Sequence, residues 1–252
     1  MRKSGVADRL GQVYARGMLA EVADLQGPLF WALFIGWALS VVLHEFAHGL
    51  VALLGGDYTI RERGGLSLNP LQYVDPLMSI VMPLVFMLLG GLPLPGGATY
   101  VRRDLLRGKL WVTAVAAAGP ATNFLLYLLL TLSLNPHFGW VGANESVADW
   151  TPAQRLVGAL AFVQLLSVLL NLIPVPPLDG FMMISPYLNK SVRERLSQGP
   201  MAIGLFVLLF YGLCHVKLNE TAYLVMDPMT RHLGVSFDRM VSAARIVLYG
   251  HP

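Results

Sequence analysis

The stretch LFWALFIGWALSVVLHEFAHGLVALL, residues 29–54, decides the fold class of this chain. It is 26 residues long, and its only ionisable side chains are those of His44, Glu45 and His48. As a helix it would cover roughly 39 Å, enough to cross the hydrocarbon core of a bilayer. Ionisable groups are costly in hydrocarbon and usually mark a functional site there. The stretch therefore predicts a membrane-spanning helix that carries such a site.

The pattern His44-Glu45-Phe46-Ala47-His48 has the spacing of a zinc site on a helix. Positions i and i+4 share one helix face, so the two imidazoles can bind a single Zn²⁺. Glu45 is offset by one residue and can face the attacking water rather than the metal. The alternative is a histidine pair that neighbouring helices satisfy without metal. In that case three polar side chains would be buried in the membrane, at an energetic cost, without a function that explains them.

The composition is that of an integral membrane protein. The chain is 55 % hydrophobic and 13 % charged, with a mean hydropathy of +0.59. Its single cysteine, Cys214, excludes an intramolecular disulfide and a cysteine-based zinc site. The net charge of +3 suits contact with anionic lipid headgroups and does not argue for nucleic acid. Residues 1–27 lack a continuous apolar core, so we expect no cleavable signal peptide.

The hydropathy pattern predicts an all-α integral membrane protein with about four transmembrane helices. These are expected at residues 29–54, 110–134, 156–173 and 201–216. An amphipathic N-terminal segment over residues 1–27 (or a solvated tail) would precede a membrane domain over residues 28–216. An amphipathic C-terminal tail over residues 217–252 would follow it.

Two shorter segments are predicted between the first two spans. The apolar run at residues 77–91 is about 15 residues long, short for a spanning helix. Prolines and glycines follow it, so we expect a re-entrant segment that dips into the membrane and returns. Residues 58–70 contain two β-prone runs around Gly64-Gly65, which predicts a short membrane-associated β-hairpin.

A catalytic zinc ion needs a third protein ligand. The candidates are Asp179, His215 at the end of the last expected span, and the histidines of connections or the tail, which are His137, His232 and His251. Asp179 follows a helix end that prolines must unwind, and unwound backbone at membrane depth is tolerated where it lines a site. The alternative is a loop-capping aspartate. If all five apolar segments crossed the membrane, Asp179 would lie on the opposite side from His48. A re-entrant segment at residues 77–91 brings the two to the same side.

The distribution of basic residues indicates which side that is. In the re-entrant arrangement, residues 135–154 form the loop on the far side and contain no Lys or Arg. The connections on the metal side carry nine of them: Arg61, Arg63, Arg102, Arg103, Arg107, Lys109, Lys190, Arg193 and Arg195. The positive-inside rule therefore predicts a metal near the cytoplasmic face. The basic residues of the N-terminal segment argue against the external N-terminus that this implies.

With these motifs in hand, the chain resembles the site-2 proteases, a family of intramembrane zinc metalloproteases. The resemblance covers most of residues 29–190 and rests on three motifs: residues 44–49, 118–123 and 171–180. It is similar to the minimal members, without inserted PDZ or appended CBS domains. One departure is Phe181-Met182, where many relatives have a second glycine and a histidine.

The resemblance implies roles for individual residues. His44, His48 and Asp179 would bind one Zn²⁺ per chain, and Glu45 would be the catalytic base. Asn171 would contact the substrate backbone. Asn123 is a second candidate for substrate binding, with helix–helix hydrogen bonding in lipid as an equal alternative.

The implied activity is hydrolysis of peptide bonds within or near transmembrane segments of membrane proteins, as in regulated intramembrane proteolysis. The substrate helix must unwind first. A strand edge at residues 58–68 or 92–101 would then hold it by β-augmentation. The alternatives are a membrane metal-ion transporter and a catalytically silent substrate-binding relative. We expect a multi-pass protein of a bacterial or archaeal cell membrane, with a transmembrane protein and the bilayer as partners; homo-oligomerisation stays an open alternative.

Overall fold

The computed structural model describes residues 27–74, 99–215, 226–228 and 230–249, with the backbone alone for residues 210–215. In these ranges every regular element is an α-helix or a short 3-10 helix. The α-helices are α1 Pro28–Gly55, α2 Lys109–Ser133, α3 Pro152–Asn171, α4 Asp179–Ile184, α5 Lys190–Ser197, α6 Gly199–His215 and α7 Phe237–Tyr249. The predicted all-α class is confirmed for the part of the chain described.

Three helices are long and apolar enough to cross a membrane. They are α1, α2 and α3, with 28, 25 and 20 residues, or about 42, 37 and 30 Å. Large apolar side chains on their outer faces are more than half exposed, including Ile35, Leu39, Leu54, Leu125 and Leu129. Exposed apolar side chains along a whole helix length suit contact with lipid. The chain is therefore a membrane protein.

The expected fourth span is not supported. Helix α6 is described over 17 residues, or about 26 Å, and the described residues include three helices that meet the length and hydropathy of a membrane span, with α6 not among them.

The expected β-hairpin at residues 58–70 is wrong. Tyr58–Ile60 and Pro70–Tyr73 are 3-10 helices, and turns lie between them. The Asp57 carboxylate accepts hydrogen bonds from the backbone and hydroxyl of Thr59, at 3.2 and 2.5 Å. Gly64 has a φ of +77°, in the left-handed region that favours glycine. Local side-chain bonds and this turn replace the ladder of a hairpin.

The segment after α1 lies against α1 itself. A Cβ on Gly49 would come within 1.9 Å of the Gly65 carbonyl oxygen, so only a glycine allows the two backbones to meet. Farther along, the Arg107 N–H donates to the Gly55 carbonyl at 3.0 Å. The chain therefore leaves α1 and enters α2 at the same end of the bundle. The re-entrant segment at residues 77–91, and residues 92–98 of the second expected strand edge, lie outside the described residues; residues 99–101 form no strand.

The bundle has α2 in contact with α1, α3 and α4, and α7 packs along α3. Thr151 and Gln154 form a capping box that starts α3. Helix α7 buries an apolar face of Met240, Ala243, Ala244, Val247 and Leu248. At one contact, a Cβ on Gly158 would be 2.9 Å from the Ala243 Cβ. Part of the region expected as a C-terminal tail thus belongs to the core, while residues 1–26 and 216–225 lie outside the described ranges.

Candidate metal centre

Helix α1 carries three buried ionisable side chains in a helix otherwise built from apolar residues. His44, Glu45 and His48 are 7 %, 5 % and 7 % exposed. One potential ligand atom from each lies within 4.8 Å of the others. The i, i+4 spacing therefore places the two imidazoles together as expected from the sequence.

Asp179 joins the two imidazoles from a different part of the chain. Its Oδ2 lies 3.1 Å from His44 Nε2, and its Oδ1 lies 3.4 Å from His48 Nε2. It is the first residue of α4, directly after the proline-rich turn that ends α3. Next to it, Gly180 lies so close to that turn that a Cβ would meet the Leu172 carbonyl oxygen at 2.3 Å. The structure thus brings the three predicted ligands together.

Hydrogen bonds on the far side of each imidazole decide which nitrogen faces the centre. His48 Nδ1 donates to the Val115 carbonyl oxygen at 2.6 Å. His44 Nδ1 lies 3.1 Å from Asn123 Oδ1, which accepts its proton. In a neutral imidazole with a protonated Nδ1, Nε2 carries a lone pair. Such outer hydrogen bonds fix the orientation of metal-binding histidines.

The converging atoms need a positive charge among them. The two Nε2 atoms are 3.0 Å apart, and both face the Asp179 carboxylate. A shared proton or a metal ion would supply that charge. Two ligands at 2.0–2.1 Å from a tetrahedral Zn²⁺ are about 3.3 Å apart, close to the 3.0, 3.1 and 3.4 Å found here. The buried Oδ2 of Asp179 has no hydrogen-bond donor among the described residues. Two imidazoles and one carboxylate therefore fit a zinc ion with a fourth position left for other ligands.

Gly119 allows helix α2 to pack closely against the imidazoles of the metal centre. A Cβ there would lie 2.4 Å from the Nε2 atoms of both His44 and His48. Gly119 lies within the motif at residues 118–123, and the motif alone predicts no role for this glycine. A glycine inside a helix costs about 1 kcal/mol relative to alanine, which is a signal of a packing or functional reason.

Glu45 faces the loop that follows α1. Burial, and after it the negative charge of Glu45, raise the pKa of Tyr73. The Tyr73 hydroxyl donates to the Ser67 carbonyl at 2.5 Å. The Thr99 hydroxyl donates to the main-chain carbonyl of Glu45 at 3.2 Å. The glutamate is thus beside the metal-binding atoms and close to two loop segments.

The two asparagines occupy different positions. Asn123 is buried and contacts His44, so its place is beside a ligand. Asn171 is the half-buried last residue of α3. Within the described part of the chain, its side chain forms no hydrogen bond with the residues of the centre. Their roles in substrate binding stay predictions.

Comparisons with known proteins place this centre in context. "Putative zinc metalloprotease Rip2" of Mycolicibacterium smegmatis is 36 % identical over 198 residues, which are 73 % of this chain and 70 % of that protein. The protein of the same name from Mycobacterium tuberculosis strain H37Rv is 34 % identical over 208 residues, 80 % of this chain and 77 % of its own. "Putative zinc metalloprotease YwhC" of Bacillus subtilis is 31 % identical over 181 residues, 70 % and 78 % of the two chains. No family model and no solved structure matches the chain.

Proposed function

The chain belongs to the site-2 protease family of zinc metalloproteases, and we propose that it is an intramembrane endopeptidase. Its substrates are transmembrane proteins, cut within or near a membrane-spanning segment. One observation carries the proposal. Two histidines and a buried glutamate lie within α1, a helix that is long and apolar enough to cross a membrane, and the Asp179 carboxylate of α4 meets the two imidazoles there.

The residues of the centre have two roles, metal binding and proton transfer. His44, His48 and Asp179 would hold one Zn²⁺. When bound, zinc polarises the scissile carbonyl and acidifies the attacking water. Glu45 takes the proton of that water and passes it to the leaving amine nitrogen. This role suits a carboxylate that lies beside the ligands and is buried with them.

Asn123 and Asn171 complete the proposed site. Asn123 holds His44 in the orientation that points Nε2 at the metal, and we assign its amide N–H₂ to contact with the substrate. Asn171 lies at the end of α3, where the chain unwinds before Asp179. Unwound backbone next to the metal is where an extended substrate segment is expected. A substrate helix hides its carbonyl groups in its own hydrogen bonds, so it must unwind before attack.

The proposed setting is a bacterial cell membrane, with the metal toward the cytoplasm. The basic connections at the end of the bundle near the metal, and the loop without Lys or Arg at the other end, support this orientation. The contact between Arg107 and Gly55 supports the same-side arrangement of α1 and α2 that it requires.

Reconstituted protein and two model substrates test the activity. One transmembrane peptide carries a Gly-Pro pair at its centre, and its matched control has Leu-Leu at the same place. We expect cleavage of the first, at a markedly higher rate than the second, because the Gly-Pro pair weakens the helix. A chelator should abolish cleavage and Zn²⁺ should restore it. Equal rates with and without the chelator would contradict the proposal.

A further inference from the structure

A basic pocket opens where α2 begins. Its volume is about 480 Å³. Arg103, Lys109 and Arg193 bring three cationic side chains to it, and Leu106, Val112 and Pro186 form an apolar wall. The cations come from two separate parts of the chain: the entry to α2, and helix α5. The pocket is distinct from the metal centre, and none of the proposed metal ligands lines it.

Within the described ranges, no carboxylate pairs with the cationic side chains of this pocket, those of Arg103, Lys109 and Arg193. The acidic residue of the lining, Asp104, pairs instead with Arg102 at 2.6 Å. Partial desolvation of its guanidinium group, and after it the like charge of Arg193, lower the pKa of Arg103, although the residue as a whole is exposed. Cations that repel each other in a concave site are stabilised by a bound anion.

The shape and position of the pocket select the anion. Guanidinium groups bind phosphate oxygens in pairs, and a lysine adds a point charge. Lys109 is the first residue of α2, a helix apolar enough to span a membrane, so the pocket lies at the level of the lipid headgroups. The apolar wall suits the glycerol and first methylenes of a lipid. We propose that this pocket binds the phosphate group of an anionic phospholipid.

The pocket also adjoins the helix that presents Asp179. The Arg103 guanidinium contacts Met182 Sδ, and the Thr113 hydroxyl donates to the Met183 carbonyl at 2.9 Å. Both methionines lie in α4. A lipid bound by Arg103 and Arg193 would therefore lie next to the first residues of α2 and next to α4.

Lipid binding to the purified full-length protein tests the proposal. Binding of phosphatidylglycerol and phosphatidylcholine would be counted by native mass spectrometry, with inorganic phosphate as a third probe. The pocket variant is Arg103→Gln with Arg193→Gln. The matched control is Arg61→Gln with Arg195→Gln, which removes the same charge outside the pocket. Thermal unfolding of both variants checks that they fold.

We expect the wild type and the control to prefer phosphatidylglycerol. The pocket variant should bind it about 30-fold more weakly, the effect of two cations that contribute about 1 kcal/mol each. Equal losses in the pocket variant and the control would overturn the proposal, as would inorganic phosphate binding as tightly as the lipid. If the double variant fails to fold, the exposed Lys109→Gln takes its place. A loss of about fivefold is then expected, and unchanged binding would overturn the proposal.

Discussion

The imidazole of His48 is hydrogen-bonded through Nδ1 to the main-chain carbonyl oxygen of Val115, at 2.6 Å. A carbonyl oxygen only accepts, so Nδ1 must carry a proton, and in the neutral imidazole Nε2 then faces Asp179 with its lone pair. The bond joins α1 to α2. Packing between two helices thereby fixes the tautomer of a metal-binding side chain, and no side-chain substitution at position 115 removes the acceptor.

Gly119→Ala should disrupt the metal centre. The added Cβ would lie 2.4 Å from both histidine Nε2 atoms, which is too close for either imidazole to stay in place. We expect zinc affinity to fall by at least about 10–100-fold, as for loss of an outer-shell contact. Competition with a chromogenic chelator measures it. Gly204→Ala in α6 is the control, since a Cβ there meets nothing within 4 Å. Equal affinities in the two variants would contradict this account of Gly119.

Asn123→Ala should weaken zinc binding because His44 loses the acceptor for Nδ1, at 3.1 Å. The expected loss is about 10–100-fold. Asn123→Asp keeps an oxygen in the same place and should retain most of the affinity. If the alanine variant binds zinc like the wild type, Asn123 does not orient His44.

Asp57→Asn should destabilise the segment after α1. The Asp57 side chain is fully buried and accepts from Thr59, from Arg63 at 3.2 Å and from the Arg102 N–H at 2.8 Å. An amide cannot accept all of these bonds. We expect a loss of about 2 kcal/mol in the free energy of unfolding. Asp104→Asn, at an exposed ion pair, is the control and should change little. Equal losses of stability on thermal unfolding of the Asp57→Asn and Asp104→Asn variants would refute this role of Asp57.

The sequence was sufficient for the elements that depend on side-chain pattern. The apolar runs gave α1, α2 and α3, and i, i+4 spacing gave His44 and His48. Asp179 could be predicted only from the number of membrane crossings and from the family resemblance, because no local sequence pattern links it to α1. The Val115 carbonyl leaves no signal in the sequence, since every residue has one. The prediction of a β-hairpin was wrong because Asp57 and Gly64 favour turns, which β-propensity alone does not take into account.

The path between α1 and α2 can be tested by labelling. Single cysteines at Gln72 and Gly108, in a Cys214→Ser background, flank the segment expected to be re-entrant. Since Arg107 contacts Gly55, both cysteines should react with an impermeant thiol reagent from the same side of the membrane. A protein labelled at the two positions from opposite sides would refute the same-side arrangement.

Glu45→Gln tests the central claim most directly. The substitution keeps the size of the side chain and removes the base, and His44, His48 and Asp179 stay intact. Zinc content, measured by mass spectrometry of the purified protein, should equal that of the wild type. Hydrolysis of the Gly-Pro transmembrane peptide should fall by about 10²–10⁴-fold. His44→Ala should instead lose zinc and activity together. Cleavage by a zinc-loaded Glu45→Gln protein at a rate near that of the wild type would contradict the mechanism.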